Sequence, residues 1–328
     1  LSTSRMASDI SHVRRADGVA DAANGVTGAL RSELDQGDTL VVWLLDASIS
    51  LEENRSMLSA KAADFYKSMD AFNTSRDEYS GSHTLLSSVV AFGRGWNEIM
   101  RPNRMGAMAI EKMTQVPIDR SGIENVMAAV SGTIRLYRDR RHRNDRLVLV
   151  ILTDESGDDI RQLERTIELC REEDVVVHVL GPSAVMGCQK GSQLCKIPQG
   201  NRTYPFWLTV NKGPETSLPE RFLLPYWHES SVPPWQQDGA TAGQQAWCGG
   251  CYRERLPSGF GPYALTRLAL QTGGSFTMFE QLPMEADYRH DRLLDYVPDY
   301  GSAQDYMASI QGRPLRQFVA DAAATSFR

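Results

Sequence analysis

Long apolar runs are missing from this chain. None approaches the roughly 18 residues that a spanning helix needs; the longest, Leu40 to Leu45, has the length of a strand. An excess of basic charge is missing too. The formal net charge of −6 speaks against nucleic acid or an anionic membrane as the main partner. No Gly-rich phosphate loop, HExxH pair or ordered Ser-His-Asp set occurs in a supporting context, so the usual catalytic signatures are absent and the chain reads as a non-enzyme. There is no internal repeat. What remains is an ordinary globular composition, 41% hydrophobic and 23% charged over 328 residues. The chain opens on Leu and not Met, which leaves a removed targeting or anchoring segment open.

The apolar pattern alternates between two periods. Thr39 to Leu45, Leu85 to Phe92, Arg146 to Thr153 and Val175 to Leu180 are continuous, partly β-branched runs, as expected of strands buried on both faces. Between them, helical spacing predicts helices over residues 10–35, 51–70, 122–137 and 160–172. Trp96 to Met100 reads as a short edge strand. A helix from Tyr263 to Leu270 and a last strand from Ser275 to Phe279 resume the pattern after a break. Strands alternating with helices predict an α/β fold, a doubly wound, mostly parallel sheet with helices on both faces. The organisation that follows is a helical lead-in over 1–38, a discontinuous domain over 39–182 and 258–282, a loop-rich insertion over 183–257, and a tail over 283–328 with helices near 302–311 and 314–326.

In such a sheet, ligands bind beyond the carboxyl ends of the strands, where the strand order reverses. Asp46 ends the first buried strand, with Ser48 and Ser50 in the turn after it, and Asp154 follows the strand ending at Thr153. Carboxylate and hydroxyl oxygens are hard ligands suited to Mg²⁺, with Ca²⁺ and Mn²⁺ as alternatives. The same Asp and Ser residues would also serve simply to cap the next helix.

The Asp46-Ala47-Ser48-Ile49-Ser50 segment together with Asp154 resembles the von Willebrand factor A family, whose metal-ion-dependent adhesion site uses Asp-x-Ser-x-Ser after the first strand and an Asp after the fourth. A second likeness runs from Leu265-Thr266-Arg267-Leu268-Ala269 through Thr272-Gly273-Gly274 to Phe276. Together they cover roughly residues 39–182 and 258–280. The family also supplies a Thr from a Thr-x-x-Gly loop. Here that loop aligns with Asp119-Arg120-Ser121-Gly122, which puts Asp119 at the Thr position, or Ser121 if the loop shifts. The resemblance implies metal-dependent capture of a protein partner through an acidic side chain, for adhesion or assembly, at a bacterial cell envelope or outside the cell. An Asp at the Thr position, with Glu155, Asp158 and Asp159 nearby, would strengthen metal binding and weaken attraction for an incoming carboxylate. The alternative from the same family is a metal-independent scaffold within a multiprotein complex.

The insertion differs from the rest. It carries Trp207, Trp227, Trp235 and Trp247, four of the six tryptophans, and four of the five cysteines. The aromatics read as a small satellite core, or as a binding surface. Cys188, Cys195, Cys248 and Cys251 read as a staple, either disulfides or a Zn²⁺ site. Trp247-Cys248-Gly249-Gly250-Cys251 resembles a thiol redox pair, but no strand precedes it as that chemistry requires, so a thiol redox enzyme is the weakest reading. The loop position places the insertion beside the metal. His178 inside a buried strand reads as a satisfied core histidine, and Arg138 to Arg146 as a solvated helix end that complements the dipole.

Overall fold

The computed structural model describes residues 13–75, 83–139, 145–199, 202–218, 257–279 and 297–326. In chain order the elements are β1 (Val13–Ala16), α1 (Val19–Leu34), β2 (Thr39–Asp46), a 3₁₀ turn (Ile49–Leu51), α2 (Glu52–Ser75), β3 (Leu85–Phe92), β4 (Trp96–Asn103), α3 (Gly106–Thr114), α4 (Val126–Arg138) and β5 (Arg146–Leu152). A second 3₁₀ turn (Ile160–Gln162) follows, then α5 (Leu163–Glu172), β6 (Val175–Gly181), β7 (Gly191–Gln199), β8 (Arg202–Val210), α6 (Tyr263–Gln271), β9 (Phe276–Phe279), α7 (Ala303–Gln311) and α8 (Pro314–Ser326).

Seven strands form one sheet in the order β1-β9-β6-β5-β2-β3-β4, parallel throughout except for the edge pair β3–β4. This is the expected α/β doubly wound sheet. Every residue of β2 is buried, because helices cover both faces. Val41, Trp43 and Leu45 pack with α1, α2 and α3 in one cluster, while Leu40, Val42 and Leu44 are buried on the opposite side. The buried side chains of α4 and α5, such as Ile134 and Ile167, lie outside that cluster and belong to the second face. From β2 the chain moves through β3 to β4 on one side. From β5 it moves through β6 to β9 on the other. The order therefore reverses between β2 and β5, the place where such sheets hold their ligands.

Three expectations need correction. The helix read over 10–35 begins only at Val19; Val13–Ala16 is an edge strand paired parallel to β9. Arg14 and Arg15 within it are exposed and hide any apolar pattern. Gly106–Thr114 is a helix that the sequence reading passed over. The helix placed at 122–137 starts at Val126, so residues 122–125 are loop.

Two sets of buried polar groups inside the sheet are paired. Trp43 Nε1 donates to Tyr66 Oη at 2.9 Å, and Tyr66 donates to Ser87 Oγ at 2.6 Å. His178, 4% exposed, has Nδ1 2.9 Å from Ser275 Oγ, the core histidine that its strand position suggested. The Thr-Gly-Gly turn has a mechanical reason. Gly273 takes φ +75°, and a side chain on Gly274 would collide with the backbone of Val177. Thr272 Oγ1 meanwhile accepts the Val177 N–H at 3.2 Å, which fixes the end of α6 to β6.

By contact the chain divides into two units, residues 1–182 with 268–285, and 183–267 with 286–328. In the second, the insertion is not wholly loop. β7 and β8 form an antiparallel hairpin in which Cys195 faces Phe206 across the register. The tail is anchored there too: buried Tyr300 donates to Gly261 O at 3.3 Å, and Arg267 donates to Tyr300 O at 2.8 Å. Cys188 is partly buried at the turn before β7. Cys248, Cys251, Trp227, Trp235 and Trp247 lie outside the described residues, as do residues 140–144 of the basic segment. Among the described residues no helix is long and apolar enough to cross a membrane.

Candidate metal centre

Asp46 is the last residue of β2 and is fully buried. Pairing of Leu45 with Leu152 puts Thr153 beside Asp46 and carries Asp154 to the same end of the sheet. The carboxylate of Asp46 is fixed by two donors, the Ser48 N–H to Oδ1 at 2.7 Å and Thr153 Oγ1 to Oδ2 at 3.0 Å. The Asp46 turn brings Ser48 Oγ and Ser50 Oγ to 2.9 Å of one another. Ser48 occupies the position before the 3₁₀ turn, yet its side chain makes no capping hydrogen bond. Its hydroxyl faces Ser50 instead, so helix capping does not account for it.

A third acid joins these two, and the sequence reading did not name it. Carboxylate oxygens of Asp46, Glu124 and Asp154 all lie within 4.8 Å of one another, and all three residues are buried. Glu124 sits in the loop before α4. Its backbone is clasped by Asp158: the Glu124 N–H donates to Asp158 Oδ2 at 3.0 Å, and the Asp158 N–H donates to Glu124 O at 2.8 Å. Asp159 accepts from Met127 N at 3.1 Å and Ala128 N at 2.7 Å, which caps α4 from a different loop. Asp158 and Asp159 therefore act on backbone N–H groups that position Glu124.

Asp119 and Ser121 are placed differently. Asp119 is joined to the serine turn through its backbone, with its N–H on Ala47 O at 2.9 Å and a parallel bridge to Ser48. Its carboxylate accepts the N–H groups of Ser121 at 2.7 Å and Arg94 at 2.9 Å. Its slight burial works against the charge, but those backbone donors, with the Arg94 charge, outweigh it and hold the carboxyl below its ordinary range. A side chain on Gly93 would collide with this carboxylate. Ser121 is exposed, and its Oγ accepts from Ile123 N at 3.2 Å within its own loop. Asp119 is not part of the carboxylate trio.

The electrostatics are lopsided. Asp46, Glu124, Asp154 and Glu155 are buried together, and among the described residues one buried cation, Arg55, is near them. Burial, then the charges of Asp46 and Asp154, drive the Glu124 carboxyl far above its ordinary range. Burial and those neighbouring charges favour its protonated form when no cation is bound. Glu124 Oε2 has no hydrogen-bond partner among the described residues. An orphaned buried oxygen in a nest of hard oxygen donors suits a divalent cation, which would replace the Glu124 proton and satisfy that atom. The residues present fit such an ion. Among the described residues Asp46, Glu124 and Asp154 converge closely enough to hold it, and Ser48 and Ser50 lie on the turn that follows Asp46.

No family model matches the chain, and no curated protein matches it. Solved structures similar to it include proximal thread matrix protein 1 from the mussel byssus, at 17% identity and a TM-score of 0.32, over 45% of this chain and 36% of that one. A further structure of that mussel protein, with a zinc-occupied MIDAS motif, is 20% identical with a TM-score of 0.32 over the same shares. BatB from Bacteroides thetaiotaomicron is 10% identical with a TM-score of 0.37, over 78% of this chain and 96% of its own. The match to the mussel protein spans little more than a third of that protein's length. At these scores the fold class rests on the strand order itself.

Proposed function

We propose that this chain is a non-catalytic binding module that holds a divalent cation at the β2–β5 crevice and, through the loops the ion organises, binds a protein partner. The observation that carries this reading is the buried trio Asp46, Glu124 and Asp154. Three acids at such spacing, with Arg55 the one buried cation beside them among the described residues, are costly to bury without a further positive charge. The ion we assign is Mg²⁺, with Ca²⁺ or Mn²⁺ as substitutes, since every donor is an oxygen. Mg²⁺ keeps some of its water in sites with few protein ligands, and a partner's oxygen would exchange for one such water. The setting we propose is the cell envelope or the extracellular side, in keeping with the cysteine-rich insertion.

The test is titration calorimetry with Mg²⁺, Ca²⁺ and Mn²⁺ on the full chain and on Asp46→Ala, followed by partner capture with and without EDTA. Binding of one ion that Asp46→Ala abolishes, with partner capture lost in EDTA, is the expected result. No ion bound at millimolar concentrations would overturn the reading. Metal-independent capture of the partner would turn it into the scaffold reading.

A further inference from the structure

Arg55 lies in the first turns of α2, next to Asn54 and close behind Glu52 and Glu53, where an exposed helix-surface pair would be the ordinary expectation. It is instead buried, 3% exposed. Its NH1 group donates to two carbonyls of the serine turn, Asp46 O at 2.6 Å and Ser48 O at 2.8 Å. These carbonyls flank Ala47, so a single nitrogen spans the segment whose side chains are Asp46, Ser48 and Ser50. Burial lowers the Arg55 pKa, and the charges of Asp46, Glu52 and Asp154 oppose that; the guanidinium remains charged.

Resting on the metal reading above, we propose that Arg55 is the positioning residue of the metal site: it fixes the backbone of the Asp46–Ser50 turn so that the Asp46 carboxylate and the two serine hydroxyls converge before the ion arrives. Two effects of Arg55 on a bound cation have opposite signs. Its charge repels the ion, so its loss by charge alone would tighten binding. Its hydrogen bonds pre-organise the donors, so its loss by geometry would weaken binding. The double carbonyl contact argues that geometry wins. Turn carbonyls left without Arg55 would turn toward water, and the serine hydroxyls, held in this structure against each other, would separate.

The experiment is titration of the full chain with Mn²⁺, followed by calorimetry and by electron paramagnetic resonance of the bound ion, for the unaltered chain, Arg55→Met, Arg55→Lys and Leu58→Ala. Leu58 is a fully buried core residue of the same helix that makes no part of the site, so it reports general loosening. Arg55→Met is expected to weaken Mn²⁺ by about ten- to a hundredfold, the usual cost of removing a group that orients metal ligands. Arg55→Lys, which restores a donor and the charge, should recover part of that loss. The Arg55→Met resonance at saturation should differ from that of the unaltered chain, while Leu58→Ala keeps both affinity and spectrum. Equal or tighter Mn²⁺ binding by Arg55→Met overturns the inference, as does an equal loss in Leu58→Ala. Should Arg55→Met fail to fold, Arg55→Lys carries the test, and an affinity matching the unaltered chain overturns it. No Mn²⁺ binding by the unaltered chain overturns the metal reading itself, an outcome distinct from all of these.

Discussion

Glu124 and Asp158, 34 residues apart in sequence, hold each other by two hydrogen bonds, from the Glu124 N–H to Asp158 Oδ2 and from the Asp158 N–H to Glu124 O. This clasp ties the loop before α4 to the loop that carries Asp154, and so sets two of the three buried carboxylates against each other. The consequence is thermodynamic. Without metal, burial and the charges of Asp46 and Asp154 favour a proton on Glu124 that the unfolded chain would lose near the ordinary glutamate value of 4.5. With its folded pKa raised, the stability it contributes is complete below that value and declines as pH rises toward the folded pKa. A divalent ion removes the penalty by displacing the proton. Thermal melting of the metal-free chain should therefore show a melting temperature that falls on this account from pH 5 to pH 8. Mg²⁺ should raise it more at pH 8 than at pH 5. Glu124→Gln, neutral at both, should abolish the metal-free decline. The same variant should weaken Mg²⁺ by more than about a hundredfold, since merely reorienting a ligand costs roughly ten- to a hundredfold.

Asp119 gives a contrasting expectation. Its carboxylate is spent on the Arg94 and Ser121 N–H groups and stands outside the buried trio. Asp119→Asn should change Mn²⁺ affinity by no more than about fivefold, the scale of a roughly 1 kcal/mol Coulomb effect in a water-exposed setting. Asp154→Asn in the same calorimeter should abolish measurable binding. A loss in Asp119→Asn that rivals Asp154→Asn would mean that Asp119 reaches the ion.

The difference between these two acids shows where sequence reading stops. Asp46 and Asp154 were legible because one ends and the other closely follows a long buried apolar strand, and a strand's end locates its neighbours in space. β2, β5 and β6 were equally plain, since burial on both faces leaves unbroken Val, Ile and Leu runs. Glu124 had no such marker. An acid just before a helix ordinarily complements the dipole, and the Asp158 and Asp159 contacts that hold its loop and the start of α4 arise only through folding. Arg55 was hidden for a similar reason: at helical spacing from Glu52 it reads as a surface pair. β1 and α3 lacked the expected patterns, one through Arg14 and Arg15, the other through its Gly106 start. In the insertion, Pro198 and Pro205 within β7 and β8 concealed a hairpin.

The buried Trp43–Tyr66–Ser87 chain should matter for stability and not for the metal. Tyr66→Phe keeps the ring and removes the hydroxyl, leaving the Trp43 N–H and Ser87 Oγ without that partner. Unfolding in urea should show a loss of about 1–3 kcal/mol, the cost of leaving buried polar groups unsatisfied. Mn²⁺ affinity should be unchanged, because Trp43 and Ser87 lie within β2 and β3 and not at the carboxyl end that carries Asp46.

Asp159 should affect both properties, in a fixed proportion. It supplies the acceptors for the Met127 and Ala128 N–H groups, a cap that Asn125, at the ordinary capping position, does not provide with its own side chain. Losing a cap costs about 0.5–2 kcal/mol. Burial is the largest influence on Asp159 and raises its pKa, against the backbone donors that lower it, and the loss in Asp159→Ala should fall within that range. Asp159→Asn keeps one acceptor oxygen and should lose less. Since the first turn of α4 follows Glu124 directly, its fraying frees that side chain from its place in the trio. Mn²⁺ affinity in Asp159→Ala should drop severalfold, well short of the Glu124→Gln loss. Urea unfolding and Mn²⁺ calorimetry on the two Asp159 variants check this. A stability loss with no change in affinity would show that Glu124 is held by the Asp158 clasp alone.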